Sequence, residues 1–198
     1  MSSMLAKALD KPCEELLQRA IEMHAHAYAH ADAKITYRKS TFVDPVAFSD
    51  ANLSASRSQT GFVIYLADAP VVAVSQCQRC VVLSSCEAEL VALSACACEV
   101  MWLQMFLHDV GFPVSSSTPI FCDNTAAKTV AENPIAAKQL RHVERRHFFV
   151  QDVVSAGRVT VPHVSSEANL ADALTKLLPT APRFAWAAAR LRSWTMAA

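Results

Sequence analysis

The chain has 198 residues, 53% of them hydrophobic, and its 18 Lys+Arg balance 18 Asp+Glu to a formal net charge of +0 at pH 7. The apolar fraction excludes intrinsic disorder. The length suits one domain with a short extra segment, and the zero charge means that any grip on nucleic acid must come from a local basic patch. With glycine only at 61, 111 and 157, neither a GxGxxG nor a Walker A phosphate loop can occur.

Residues 12–32 predict a helix, with Leu16, Leu17, Ala20 and Ile21 at three-to-four spacing. His24, His26 and His30 fall in its alanine-rich end, where a solvated helix end is favoured over a metal site. Residues 43–50 predict a strand, and 61–67 and 70–76 two more around a tight Asp68-Ala69 turn, which makes an antiparallel meander. Ser84 and Glu87 fit a capping box. The helix it opens carries a stripe of Leu90, Leu93, Ala97, Met101 and Gln104 or Met105, and stops at Gly111 with Pro113 beyond. A strand at 119–122 ends in Asp123-Asn124, and 125–132 returns to helix. A helix with a basic face over 138–155 is closed by Gly157; a strand follows at 158–164, then helices at 167–177 and 181–197. This order is an α/β layout with a mixed sheet.

The N-terminus has no apolar signal core, and the greasiest segment, 81–107, carries Glu87, Glu89 and Glu99. The expectation is an intracellular protein, cytoplasmic or nuclear and not secreted, with no membrane partner. Seven cysteines without an export signal fit reduced thiols, and the lone Cys77-Gln78-Arg79-Cys80 lacks the second pair that a zinc site needs.

Four acids sit where surface solvation explains them poorly. Asp50 and Asp123 end apolar strands, where mixed sheets bind ligands. Glu89 lies between Ala88 and Leu90 in the first turns of the long helix, and Asp172 between Ala171 and Ala173. Converging carboxylates repel unless cations sit among them. Two hard divalent ions roughly 4 Å apart can activate water and stabilise the leaving oxygen of a phosphodiester.

In this setting the chain resembles the ribonuclease H domain of copia-type LTR-retrotransposon Pol polyproteins. The matching stretches are Phe48-Ser-Asp-Ala-Asn52 (the family's "YSDAD"), Arg57-Ser-Gln-Thr-Gly61 and Val82-Leu-Ser-Ser-Cys-Glu-Ala-Glu-Leu-Val-Ala-Leu93 ("ALSSTEAEYIAL"). Ile120-Phe-Cys-Asp-Asn124 ("YCDN"), Arg141-His-Val-Glu-Arg-Arg-His-Phe148 ("KHIDIRYHF") and Asn169-Leu-Ala-Asp-Ala-Leu-Thr-Lys176 ("QLADIFTK") follow in order. Departures fall at Asn52, Leu53, Cys86 and Leu90.

The resemblance implies a ribonuclease H-like α/β fold: a five-stranded mixed sheet, three strands as an antiparallel meander plus two parallel ones, flanked by helices. The domain would span 41–178, after a helical connection-like segment at 1–40 and before a helical tail at 179–198. By the same resemblance Asp50, Glu89, Asp123 and Asp172 are the catalytic acids and ligands of two Mg²⁺ ions, for which Mn²⁺ may substitute. The implied reaction is endonucleolytic hydrolysis of the RNA strand of an RNA/DNA hybrid, with a polymerase domain as the partner this chain lacks. Lys138, Arg141, Arg145 and Arg146 are the candidate phosphate-tracking residues. The family also uses a histidine near the last acid, and His163 lies nine residues before Asp172 in a predicted strand. The alternative is a catalytically inactive or domesticated remnant that binds nucleic acid.

Overall fold

A computed structural model describes residues 13–37, 44–55, 57–114, 116–133, 148–176 and 181–192, with backbone alone at 181–184. The chain divides into two units, Met1–Ile35 and Thr36–Ala198. The first holds helix α1 (Glu14–Ala29), with Glu14 and Glu15 in its first turn and His26 in its last, each at the end of the macrodipole that favours its charge. None of its residues is buried. His30 Nδ1 lies 2.9 Å from the His26 carbonyl oxygen, and among the described residues His24, His26 and His30 join no metal-ligand cluster.

The second unit is built on five strands: β1 (Val46–Asn52), β2 (Gln59–Leu66), β3 (Ala69–Cys77), β4 (Thr118–Phe121) and β5 (Val159–Thr160). They lie in the order β3-β2-β1-β4-β5. β1–β2 and β2–β3 are antiparallel, while β1–β4 and β4–β5 are parallel. The expected meander and parallel pair are therefore both present, and β1 is the strand where the two kinds of pairing meet.

Strand periodicity sends neighbouring side chains of β1 to opposite faces. Ala47 joins Ile64, Ile120, Leu90, Leu93 and Val100 in the larger core, beneath helix α2 (Ser85–Asp109). Val46 and Phe48 point the other way, to Tyr65, Leu170 and Ala171. On that second side lie the short helix α5 (Asp172–Thr175) and the terminal helix α6 (Ala181–Arg192), whose Arg190 carbonyl accepts a 2.9 Å hydrogen bond from the Tyr65 hydroxyl. Helices α3 (Thr125–Glu132) and α4 (Phe149–Ser155) complete the unit.

The ends of α2 form as the sequence predicts, with one refinement. Ser84 Oγ accepts from the Glu87 N–H at 3.2 Å, but Glu87 reaches one residue further back than a capping box requires, accepting from the Leu83 N–H at 2.7 Å. At the other end Gly111 adopts φ +86°, with Gly111 N–H to His108 O at 3.0 Å and Phe112 N–H to Leu107 O at 2.8 Å, a Schellman closure. Between them, 14 residues of α2 are buried. By length and composition α2 could cross a membrane, yet here it is the helix that fills the larger core and carries two buried glutamates, Glu87 and Glu89. Gln104, not Met105, faces inward. Its amide donates to Thr118 Oγ1 at 2.8 Å and to the Arg158 carbonyl at 3.1 Å, so a polar side chain ties α2 to the parallel strands.

Three expectations shift in the described residues, and a fourth element is described only in part. The β2–β3 turn is Ala67-Asp68, both at positive φ (49° and 64°), one residue earlier than Asp68-Ala69. β5 stops at Thr160 because Pro162 has no N–H to continue the ladder; only an isolated Cys122–His163 bridge lies beyond. The predicted 167–177 helix shrinks to α5, because Asn169 Oδ1 accepts from the Ala171 N–H at 3.1 Å and holds a turn ahead of it. Of the predicted 138–155 helix, α4 and its Gly157 end are described, whereas Lys138, Arg141, Arg145 and Arg146 lie outside the described residues.

Candidate active site

Asp50 lies near the end of β1, on the face of Val46 and Phe48, and is only 1% exposed. Its Oδ2 accepts from the Thr175 hydroxyl. Its Oδ1 has no hydrogen bond and lies 3.6 Å from the Lys176 ammonium. Glu89 comes from the opposite side of β1, on the first turns of α2, and is 5% exposed. The Ala51 backbone N–H interacts with its carboxyl, but Oε2 accepts no hydrogen bond. Asp123 lies two residues beyond β4, half-buried, and Ser166 Oγ donates to its Oδ2 at 2.6 Å. Asp172 is the first residue of α5, buried, with Lys176 Nζ 2.5 Å from its Oδ1.

The four acids are close enough to act on one another. Ligand atoms of Glu89, Cys122 and Asp123 lie within 4.8 Å of each other. Burial, reinforced by the charges of Asp50 and Asp123, pushes the Glu89 carboxyl up to about 9. Burial also raises Asp50 to about 6, with Asp123 and Asp172 adding to it and the Thr175 hydrogen bond and Lys176 pulling back. Burial opposes the Lys176 charge, but its hydrogen bond to Asp172 and the nearby carboxylates outweigh that and raise its pKa.

The donor set fits an oxygen-seeking divalent cation. Two buried carboxylate oxygens, Asp50 Oδ1 and Glu89 Oε2, lack a hydrogen bond, and a cation supplies what such atoms miss. Cys122 is a weaker candidate. Burial raises its thiol, which stays protonated and engages the Asn124 backbone, accepting from its N–H at 3.4 Å and donating to its carbonyl at 3.8 Å. His163 is held at the same place by backbone contacts: Val164 N–H to Cys122 O at 3.0 Å and Cys122 N–H to Pro162 O at 3.2 Å.

Sequence reasoning passed over Thr175, Lys176, Ser166 and Gly61. Gly61 pairs with Asp50 across β1–β2, and a Cβ there would sit 2.6 Å from Thr175 Cγ2 and 2.8 Å from Leu174 Cβ. Its missing side chain is the room through which α5 approaches Asp50. The signal for Thr175 and Lys176 was available: they follow Asp172 by three and four residues, one helical turn on.

A five-stranded mixed sheet in this order, flanked by helices, is the layout of a ribonuclease H-like fold, and the four acids lie near the ends of β1 and β4 and on the two helices beside them. No family model matches the chain. It is homologous to a segment of retrovirus-related Pol polyproteins of transposons. It is 29% identical over 178 residues to that of RE1 from Arabidopsis thaliana, covering 88% of this chain and 12% of the relative. With RE2 of the same plant it shares 32% over 151 residues, 74% of this chain and 10% of the relative. With TNT 1-94 of Nicotiana tabacum it shares 28% over 142 residues, 69% and 11%. The chain thus spans only about an eighth of these polyproteins or less. Among solved structures, an N-terminal ribonuclease H domain from Mycobacterium tuberculosis aligns with TM-score 0.46 at 16% identity, covering 74% of this chain and 97% of that one. The protease–reverse transcriptase of prototype foamy virus aligns with TM-score 0.48 at 13% identity, covering 72% and 22%.

Proposed function

We propose that this domain hydrolyses the RNA strand of RNA/DNA hybrids, within the reverse transcription of a retrotransposon. The observation that carries the reading is Glu89, a buried carboxyl with an unpartnered oxygen, beside Asp123 and coupled to Asp50. Asp50, Glu89, Asp123 and Asp172 would hold two Mg²⁺ ions, with Mn²⁺ as a substitute. When bound, the ions supply an activated water and stabilise the leaving oxygen of the phosphodiester.

The chain's own residues set where that chemistry falls. Thr175 fixes Asp50 by donating to Oδ2, which leaves Oδ1 turned away from the hydrogen bond. Ser166 fixes Asp123 in the same manner. The buried face of α2 packs into the larger core and so holds Glu89 beside the sheet. Lys138, Arg141, Arg145 and Arg146 would track the hybrid's phosphates, and a polymerase domain is the proposed partner. A reducing intracellular compartment, cytoplasmic or nuclear, is the proposed setting for the free cysteines.

The test is incubation of the chain with a strand-labelled RNA/DNA hybrid and Mg²⁺ or Mn²⁺. The expected result is internal cleavage of the RNA alone, with 3′-hydroxyl and 5′-phosphate ends, abolished in Glu89→Gln. A hybrid that is bound but left intact with either ion would instead support the non-catalytic binding module.

A further inference from the structure

We propose that Lys176 is a tethered counter-ion of the acidic site, so that a cation needing both Asp50 and Asp172 binds only as the lysine withdraws. The inference rests on the reading that the four acids hold two divalent ions, and it makes the two ions unequal.

The two sides of the cluster differ in what they already hold. On the α5 side, the ammonium of Lys176 lies 2.5 Å from Asp172 Oδ1 and 3.6 Å from Asp50 Oδ1. On the α2 side, Glu89 and Asp123 form no ion pair with a described cationic side chain, and Glu89 Oε2 has no hydrogen bond at all. One side is therefore in direct contact with a charge belonging to the chain, whereas the other, among the described residues, has no direct ion pair and feels that lysine only at longer range.

Exposure shows how the lysine can leave. The side chains of Asp50 and Asp172 are 1% and 7% exposed, whereas that of Lys176 is 39% exposed. Its ammonium reaches two buried acids while the side chain as a whole keeps substantial access to solvent, an arrangement from which a flexible four-carbon chain can swing outward. Two buried carboxylates without any cation would repel each other strongly. Lys176 therefore keeps the metal-free site folded, and it competes with whatever cation replaces it. A first ion on the Glu89–Asp123 side meets little competition from it; a second ion on the Asp50–Asp172 side meets it directly.

The test is calorimetric titration of the intact chain with Mn²⁺ alone, comparing wild type, Lys176→Met and Lys176→Arg, with the melting temperature of each metal-free sample. Wild type should show two unequal steps. In Lys176→Met the weaker step should tighten by about tenfold or more, with the stronger step changed by less than about threefold. The metal-free melting temperature of that variant should fall. Lys176→Arg should keep the inequality, and Lys176→Gln carries the same test if the Met variant does not fold. If Mn²⁺ binds in two steps and the removal of the charge leaves both unchanged, or tightens both alike, the lysine proposal is overturned and the metal site stands. If none of the proteins binds Mn²⁺, both readings are lost together.

Discussion

Helices α2 and α5 each deliver one acid to the same site, and they are held in opposite ways. α2 runs for 25 residues, begins at a Ser84 side-chain cap and ends in a glycine closure. Its own sequence fixes both ends. α5 has four residues and no side-chain cap. It is positioned from outside: Asn169 Nδ2 donates to the Ser49 carbonyl at 3.0 Å, Ser75 Oγ donates to the Leu174 carbonyl at 2.6 Å, and Thr175 donates to Asp50. The acids they carry differ as well. Glu89 on α2 is buried and, among the described residues, has no salt-bridge partner, whereas Asp172 on α5 is paired with Lys176. A long helix can bring a carboxyl without an ion-pair partner into a core, held protonated by burial, because its many other buried residues outweigh that cost. A short one brings its charge already neutralised.

The largest expected effect breaks the comparison through charge. In the metal-free native state Glu89 holds its proton up to about pH 9 and Asp50 up to about pH 6, well above the values of 4.5 and 3.8 expected when unfolded. Between those limits the native state binds more protons than the unfolded one, so stability falls as pH rises. The contribution is complete below about pH 4 and is lost through pH 6 for Asp50 and pH 9 for Glu89, a decline on the order of several kcal/mol. Urea unfolding in a chelator across this range should show it, and Glu89→Gln should remove the part above pH 6. Stabilisation by Mg²⁺ should grow with pH, since it needs ionised ligands.

Next in size is the room that α5 requires. Gly61→Val would drive methyl groups into Thr175 and Leu174, costing about 3 kcal/mol in urea unfolding. Hybrid cleavage should fall further than stability alone explains, because α5 carries Asp172. Asn169→Ala removes two buried hydrogen bonds that anchor the turn before α5 and should cost about 2 kcal/mol by the same measurement. The smallest effect belongs to the self-specified helix. Ser84→Ala should cost about 1 kcal/mol and leave the cleavage rate nearly intact, since 14 buried residues still hold α2 in place. A Ser84→Ala loss larger than that of Asn169→Ala would refute the distinction drawn between the two helices.

The same distinction explains what the sequence made legible. Ser84, Glu87, Gly111 and Gly157 are local signals, and the ends they predict for α2 and α4 are where the structure has them, while the Asn124 cap of α3 is seen only in the structure. Strand β1 and the antiparallel hairpin were readable for the same reason. α5 was overextended because Asn169-Leu-Ala-Asp-Ala-Leu is helical in composition, and nothing local reveals that Asn169 bonds to Ser49 across 120 residues. The hairpin turn was displaced because Ala67 and Asp68 adopt a left-handed conformation that their composition does not advertise. Within the site, the acids stood out as charges among apolar neighbours. Lys176 did not, because a lysine after a helix is ordinarily a solvated one.

The hydrogen bond between Thr175 and Asp50 joins residues 125 positions apart, and Asp50 sits on the strand where antiparallel and parallel pairing meet. On a ribosome, the strand bearing Asp50 therefore emerges long before the residues that complete its surroundings. A nascent chain that has exposed β1, β2, β3 and α2 holds two of the four acids and neither Asp172 nor Lys176. The four acids can be brought together only when the distant end of the domain closes over the sheet.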